Sequence, residues 1–305
     1  MQIARINRLT PYFFLAPAII VMAVALLYPI GYMVWASFLD WNPSQRIGEA
    51  DFVGLRNYAK LLNDAAFLES FWVTVKFAAV VVVLEMILGV GLAMLLDRQL
   101  RGMTLLRTIF ILPMMIAPIV VGLMWRYMYH PSVGLFNRTL KSFGLEPVPW
   151  LSDGTWAFAS IVIADIWQWT PFIFILSLAA LQSLPRSAME AARIDGASGW
   201  QLIWFIKLPL MLPVLIVTAL LRLIDAFKVL EVILVMTNGG PGLSTEILAL
   251  RISRTASEFR ELGTAAAMSN LLLILLMALT LAMFTYTKIS EARAARLRAA
   301  ASKDH

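Results

Sequence analysis

The chain contains no cysteine and only two histidines, His130 and His305. Without thiols it can form neither a disulfide nor a thiolate metal site, and cysteine usage gives no reading of its redox compartment. Two histidines exclude a His-rich metal cluster. No His-Glu-x-x-His occurs, which disfavours a zinc intramembrane protease. A serine-based intramembrane hydrolase would need a Ser–His pair, yet His130 falls near a span boundary and His305 in a tail, so an intramembrane enzyme is only a remote alternative. Charge is also scarce: 14% of residues are Asp, Glu, Lys or Arg, against roughly 25% in average soluble domains. A phosphate-binding loop of the Gly-x-x-x-x-Gly-Lys-Ser/Thr type is missing. The nearest stretch, GGPGLST at Gly239–Thr245, lacks the lysine and reads as a tight turn.

What the chain does have is apolar surface. Of its 305 residues 60% are hydrophobic, and the mean hydropathy is +0.79. A soluble domain of this length could not bury so much, which implies a polytopic membrane protein. Six segments are long and apolar enough to span a bilayer: 12–38, 71–96, 109–129, 155–183, 208–236 and 263–287. Pro29, Pro113, Pro118, Pro171 and Pro213 lie inside them, where neighbouring helices can satisfy the freed carbonyls. The first run is too long for a leader's apolar core and lacks a small-residue cleavage site, so it is expected to stay as a helix.

The net charge of +6 does not imply nucleic acid, because it follows from basic loops. With the N-terminus inside, segments 1–11, 97–108, 184–207 and 288–305 hold 13 Lys and Arg in 65 residues. Segments 39–70, 130–154 and 237–262 hold 8 in 83. That bias places both termini in the cytoplasm. The expected organisation is a cytoplasmic N-terminus (1–11), a six-helix domain (12–288) with a cytoplasmic loop at 184–207, and a basic tail (289–305) against the anionic inner leaflet.

The loop EAARIDGASGWQLIWFIKLPLMLP, Glu190–Pro213, is more particular than a connector requires. Pro185 suits the first turn of a helix running to about Ile194, and Gly196 suits the left-handed residue that ends it. Ser198 with Gln201 three residues on has capping-box form, so a second helix begins there. Its Trp200, Ile203, Trp204 and Ile206 can lie against membrane or bundle, and Pro209 and Pro213 are expected to bend the chain into the fifth span. Ala188, Ala191 and Ala192 allow close approach, while Glu190, Arg193 and Asp195 supply charge. From these residues alone, a docking surface and an amphipathic helix lying on the bilayer both stand.

The same stretch resembles the EAA loop of permease subunits of binding-protein-dependent ABC importers. The family pattern is Glu-Ala-Ala, three residues, Gly, nine residues, Ile, one residue, Leu-Pro. Here it is met by Glu190, Ala191, Ala192, Gly196, Ile206, Leu208 and Pro209. The resemblance runs from about residue 12 to 288, through PYFFLAPAIIVMAVALLYPIGYMVWASF, FVGLRNYAKLL, LRTIFILPMMIAPIVVGLMWRYMYHPSVGLFNRTL and IWQWTPFIFILSLAALQSLP. EVILVMTNGGPGLST resembles the end of the fifth span in carbohydrate-uptake permeases of the larger maltose type. The chain lacks that prototype's additional N-terminal spans and large external insertion, so it looks more like six-span relatives for trehalose, glycerol phosphate and other sugars.

The resemblance implies an all-α, six-helix type I importer permease fold (MetI-like) in a bacterial cytoplasmic membrane. It implies a second permease subunit, two copies of an ATPase that uses ATP and Mg²⁺, an external solute-binding protein and a sugar substrate. It implies no cofactor, catalytic residue, metal or nucleic acid for this chain. Glu190 would be the main charged contact to the ATPase, Ala191 and Ala192 would permit insertion, and Gly196 would set the angle between the two helices.

Polar groups inside the spans are the candidates for a substrate path. Arg222, Asp225, Lys228 and Glu231 recur at steps of three in the fifth span. They read either as a polar wall or as a self-neutralising ladder. Asp165, Trp167, Gln168 and Trp169 in the fourth span combine aromatic faces with groups that bind hydroxyls. Glu85 has no evident partner in its own helix and is expected to make a structural contact.

Overall fold

The computed structural model describes the backbone of residues 10–97 and 102–301, and side chains within 12–285 and at 287 and 288 except residues 98–101. The expectations for residues 1–9, for 98–101 and for 302–305 of the basic tail lie outside the described residues, as do the tail's side chains from 289 on.

Along the chain the helices are α1 (Thr10–Ala36), α2 (Arg56–Leu62), α3 (Ala65–Leu96), α4 (Met103–Ile111), α5 (Pro118–Met128), α6 (Leu135–Ser142) and α7 (Gly154–Gln182). There follow α8 (Arg186–Ile194), α9 (Gly199–Leu202), α10 (Leu208–Ala226), α11 (Glu231–Met236), α12 (Leu248–Ser257) and α13 (Leu262–Ala301). Among the described residues the only sheet is the antiparallel pair β1 (Leu39–Asp40) and β2 (Asp51–Phe52). The chain is therefore all-α in class. Among the described residues five helices are long and apolar enough to cross a membrane, and a bent pair makes a sixth span when counted as one.

That pair corrects one expectation. The third span was expected to be continuous over 109–129. It is instead Met103–Met115 followed by Pro118–Met128, bent by 95°. Pro118 is the cause, because a proline crowds the preceding residue out of the helical region. Ala117 accordingly has φ −58° and ψ 135°. The fifth span also differs: α10 stops at Ala226, and α11 starts afresh after Leu230 at φ −137° and ψ −55°. The sixth helix runs on to Ala301, well past the expected end at 287.

By its contacts the chain divides into two units, 1–64 with 252–275, and 65–251 with 276–305. In the first unit α1 is apolar on every side and exposed along nearly its whole length, which suits lipid or another subunit as its surroundings. Below it the GLRNY segment acts as a staple. Asn57 Nδ2 donates to the carbonyls of Ser37 and Leu39, each at 2.9 Å. The Tyr58 hydroxyl meets Ser37 Oγ at 2.7 Å and accepts from Asn270 Nδ2 at 3.1 Å. Gly263 lies so close to the Leu39 carbonyl that a Cβ there would overlap it.

The second unit is built on α3 packed along α7. Gly89 makes this possible, since a Cβ there would stand 2.6 Å from the Ile173 Cβ. The same core takes in Ala93, Phe174, Leu178, Met211 and Leu215, from α3, α7 and α10. Past the break of the third span, α5 packs on α11, with Gly122 set close to the Val232 backbone. An aromatic cluster follows, in which Tyr129 packs against Phe136 at 4.9 Å and Trp150 at 5.2 Å.

Candidate functional site

The Glu-Ala-Ala residues sit on α8, whose C-terminus is closed by a pair of backbone bonds. The Gly196 amide donates to Arg193 O at 3.1 Å and the Ala197 amide to Ala192 O at 2.9 Å. This is the paired pattern that requires a left-handed residue, and Gly196 supplies it at φ +83°. Two residues later Ser198 and Gln201 exchange capping bonds at 2.7 and 3.3 Å. Two helices thus meet at a corner with almost no slack between them.

The outward face of α8 is Ser187, Glu190, Ala191 and Ile194, spaced as one helical face, and all four are exposed. Ala192 points the other way and is buried, whereas Arg193 and Asp195 are exposed. Ile206 lies under the corner, lining a small cavity of about 300 Å³ with Asp195, Gly196, Gln201 and Phe205. The sequence reading missed Ile194, a large apolar side chain left 86% exposed at the tip. Counting four residues on from Glu190 would have found it.

Pro209 and Pro213, expected to bend the chain, do not interrupt the helix. From α9 the backbone passes through a π-helical stretch, Ile203–Lys207, and continues without a break into α10. In that wider turn the Leu208 amide reaches back to Ile203 O, and Pro209, which has no amide to place, follows it. Gly199–Ala226 is consequently one 28-residue helical rod. Its base is tied to the end of α3 by Lys207 and Asp97 at 3.5 Å.

Halfway along the bundle the rod carries Arg222, which is buried with an exposure of 1%. Its Nε and Nη2 donate to the two oxygens of Glu85 at 2.6 and 3.0 Å. Nη2 also bonds Asp165, and Nη1 reaches Asp225 at 3.3 Å. One guanidinium thereby fastens α3, α7 and α10 together, and it lies over the Trp169 ring at 5.3 Å. Glu85 finds its partner on another helix.

These contacts sort the expected path residues. Asp165 and Gln168 are buried inside the packing. Gln168 Nε2 donates to Ile116 O at 3.1 Å, satisfying a carbonyl freed by the break in the third span. Trp167 borders an apolar cavity of about 360 Å³ and packs edge-on against Trp125. The ladder of four charges does not form. Arg222 and Asp225 pair, but α10 ends at Ala226, leaving Lys228 and Glu231 exposed beyond it. Steps of three stop tracking a face where the helix stops.

Comparison with known proteins agrees with this geometry. A family model described as "Binding-protein-dependent transport system inner membrane component" matches residues 85–296. The trehalose/maltose transport system permease protein MalF of Thermococcus litoralis is 39% identical, over 92% of this chain and 94% of its own length. The sn-glycerol-3-phosphate transport system permease protein UgpA of Brucella suis biovar 1 is 33% identical, over 92% and 96%. Among solved structures, a bacterial ABC transporter involved in the import of the acidic polysaccharide alginate superposes with a TM-score of 0.80 at 22% identity, covering 91% of this chain and 94% of that one. The inward-facing MetNI methionine ABC transporter shares the fold more loosely, with a TM-score of 0.52 at 20% identity over 73% and 94%.

Proposed function

The chain belongs to the family of binding-protein-dependent transport system inner membrane components, and we propose that it carries a sugar of the trehalose/maltose type into the cell. It is a permease subunit of an ABC importer rather than an enzyme, and hydrolysis belongs to a separate ATPase. In this reading two ATPase copies bind the ATP and Mg²⁺, a second and different permease completes the path, and an external binding protein delivers the sugar. Both termini and the corner at 184–207 face the cytoplasm, which the Lys and Arg bias supports.

The observation that carries the reading is the corner itself. A face of Glu190, Ala191 and Ile194 stands exposed at the end of a rod that continues unbroken to Arg222. Such a face suits a cleft that offers a cation to Glu190 and an apolar recess to Ile194. Ala192 serves from behind, letting α8 sit close on its own bundle. Asp225 and Trp169, the partly exposed members of the polar set, are the groups a passing sugar would meet first. A phosphorylated solute is the second reading, supported by the 33% identity to the glycerol-3-phosphate permeases.

Glu190→Lys tests the coupling. Reversing one interfacial charge costs about 2 kcal/mol or more, equivalent to a roughly thirtyfold weaker contact. Membrane insertion should be unchanged, while ATP-driven uptake and co-purification of the ATPase collapse. Uptake at the parental rate would show that force enters elsewhere.

A further inference from the structure

Within the first unit, the turn after α1, helix α2 and the corner between α12 and α13 border an open cavity of about 850 Å³. Its lining is aromatic and charged, unlike the apolar cavity beside Trp167. Trp41 forms part of the wall. Its Nε1–H is already donated to Gln45 O at 3.0 Å, and Tyr32 packs against it at 5.9 Å, so the ring is held and its remaining asset is an apolar plate. Two ion pairs flank it, Arg56 with Asp40 at 2.8 Å and Lys60 with Glu261 at 2.6 Å. Arg260 adds a third cation, giving the lining one surplus positive charge over its two carboxylates.

Arg260 is the informative residue. Its φ of +58° is a conformation that glycine takes freely and a long side chain takes under strain. The bond from Nη2 to Ser44 Oγ, at 3.3 Å between exposed groups, is too weak to account for a cation being kept there. Strain retained at a cavity wall points to a side chain in use.

We propose that this cavity is a carbohydrate subsite, holding one pyranose ring of the substrate on the outer side of the membrane before it enters the path. The Trp41 plate takes the C–H face of the ring. The carboxylates of Asp40 and Glu261 accept from its hydroxyls, and Arg56, Lys60 and Arg260 donate to them. The surplus charge admits a neutral sugar or one bearing an acid group and disfavours an amino sugar. The inference rests on the reading of the chain as a sugar importer with segments 39–70 and 237–262 outside.

The test uses the complete complex in nanodiscs and proteoliposomes, with maltose and trehalose as probes and the variants Trp41→Leu and Arg260→Gly. Saturation-transfer NMR without the binding protein reads contact with the sugar. Uptake at varied concentrations of sugar and of binding protein reads transport. Each variant is expected to weaken sugar contact about fivefold, Arg260→Gly through one lost hydrogen bond and Trp41→Leu through the lost apolar plate, with the half-saturating concentration of binding protein unchanged. Arg260→Gly should melt no lower than the parent, because glycine relieves the backbone, and this separates binding from folding. Variants that match the parent in both assays overturn the subsite. So does a change confined to the binding-protein concentration, which would assign the surface to protein contact. A parent that imports neither sugar instead refutes the underlying reading.

Discussion

Arg222→Met removes a cation that bonds Glu85, Asp165 and Asp225 and leaves the first two carboxyls buried without it, at side-chain exposures of 0% and 1%. Breaking a buried ion pair from one side costs about 3–5 kcal/mol, since the remaining charge keeps its desolvation penalty and loses its attraction. At roughly 2 °C per kcal/mol for a large domain, melting in lipid nanodiscs should fall by about 6–10 °C. Arg222→Lys should fall between the two, because an ammonium cannot make the two-pronged bond to Glu85. The triple variant Glu85→Gln, Asp165→Asn, Arg222→Met should regain most of the loss, because no isolated buried charge remains and Asp225 is partly exposed. An unchanged melting temperature for Arg222→Met, or a triple variant no better than the single one, would refute the idea that this cluster pins the three helices.

Two further substitutions probe backbone approach. Gly89→Val should destabilise the bundle by about 1–3 kcal/mol, read as lower melting and expression, because its Cβ would meet Ile173 at 2.6 Å. Gly91→Val, two residues on and on the opposite side of the helix with nothing within 4 Å, should change little; equal effects would discount the α3–α7 contact. At Gly196 no neighbour obstructs a side chain, so only the backbone objects. Gly196→Val should cost about 1 kcal/mol or more and uncouple ATP hydrolysis from uptake, while Gly196→Asn, tolerant of φ +83°, retains most coupling. Identical uptake rates for the two variants would count against the corner angle.

The corner was legible because its signals are local. Gly196, Ser198 and Gln201 act on amides within five residues, so spacing alone places the helix ends. The spans were legible for a similar reason, since length and apolarity are properties of a segment. The break at Ala117 could also have been read from Pro118, whose constraint on its neighbour is short-range, although two prolines in a span do not say which one breaks it. Ile194 was within reach of simple helical counting.

Sequence by itself determined the class, the apolar segments, the basic-loop asymmetry and the capped corner, all consequences of transfer free energy and of bonds between near neighbours. Only the tertiary structure decided the partners of Glu85 and Asp165, the burial of Gln168, the end of the charge ladder at Ala226 and the unbroken helix through Pro209. Those depend on which helix lies beside which. A charge in an apolar helix states that it needs a partner but not where one stands, and residues as far apart in the chain as Glu85, Asp165 and Arg222 meet only when three helices pack.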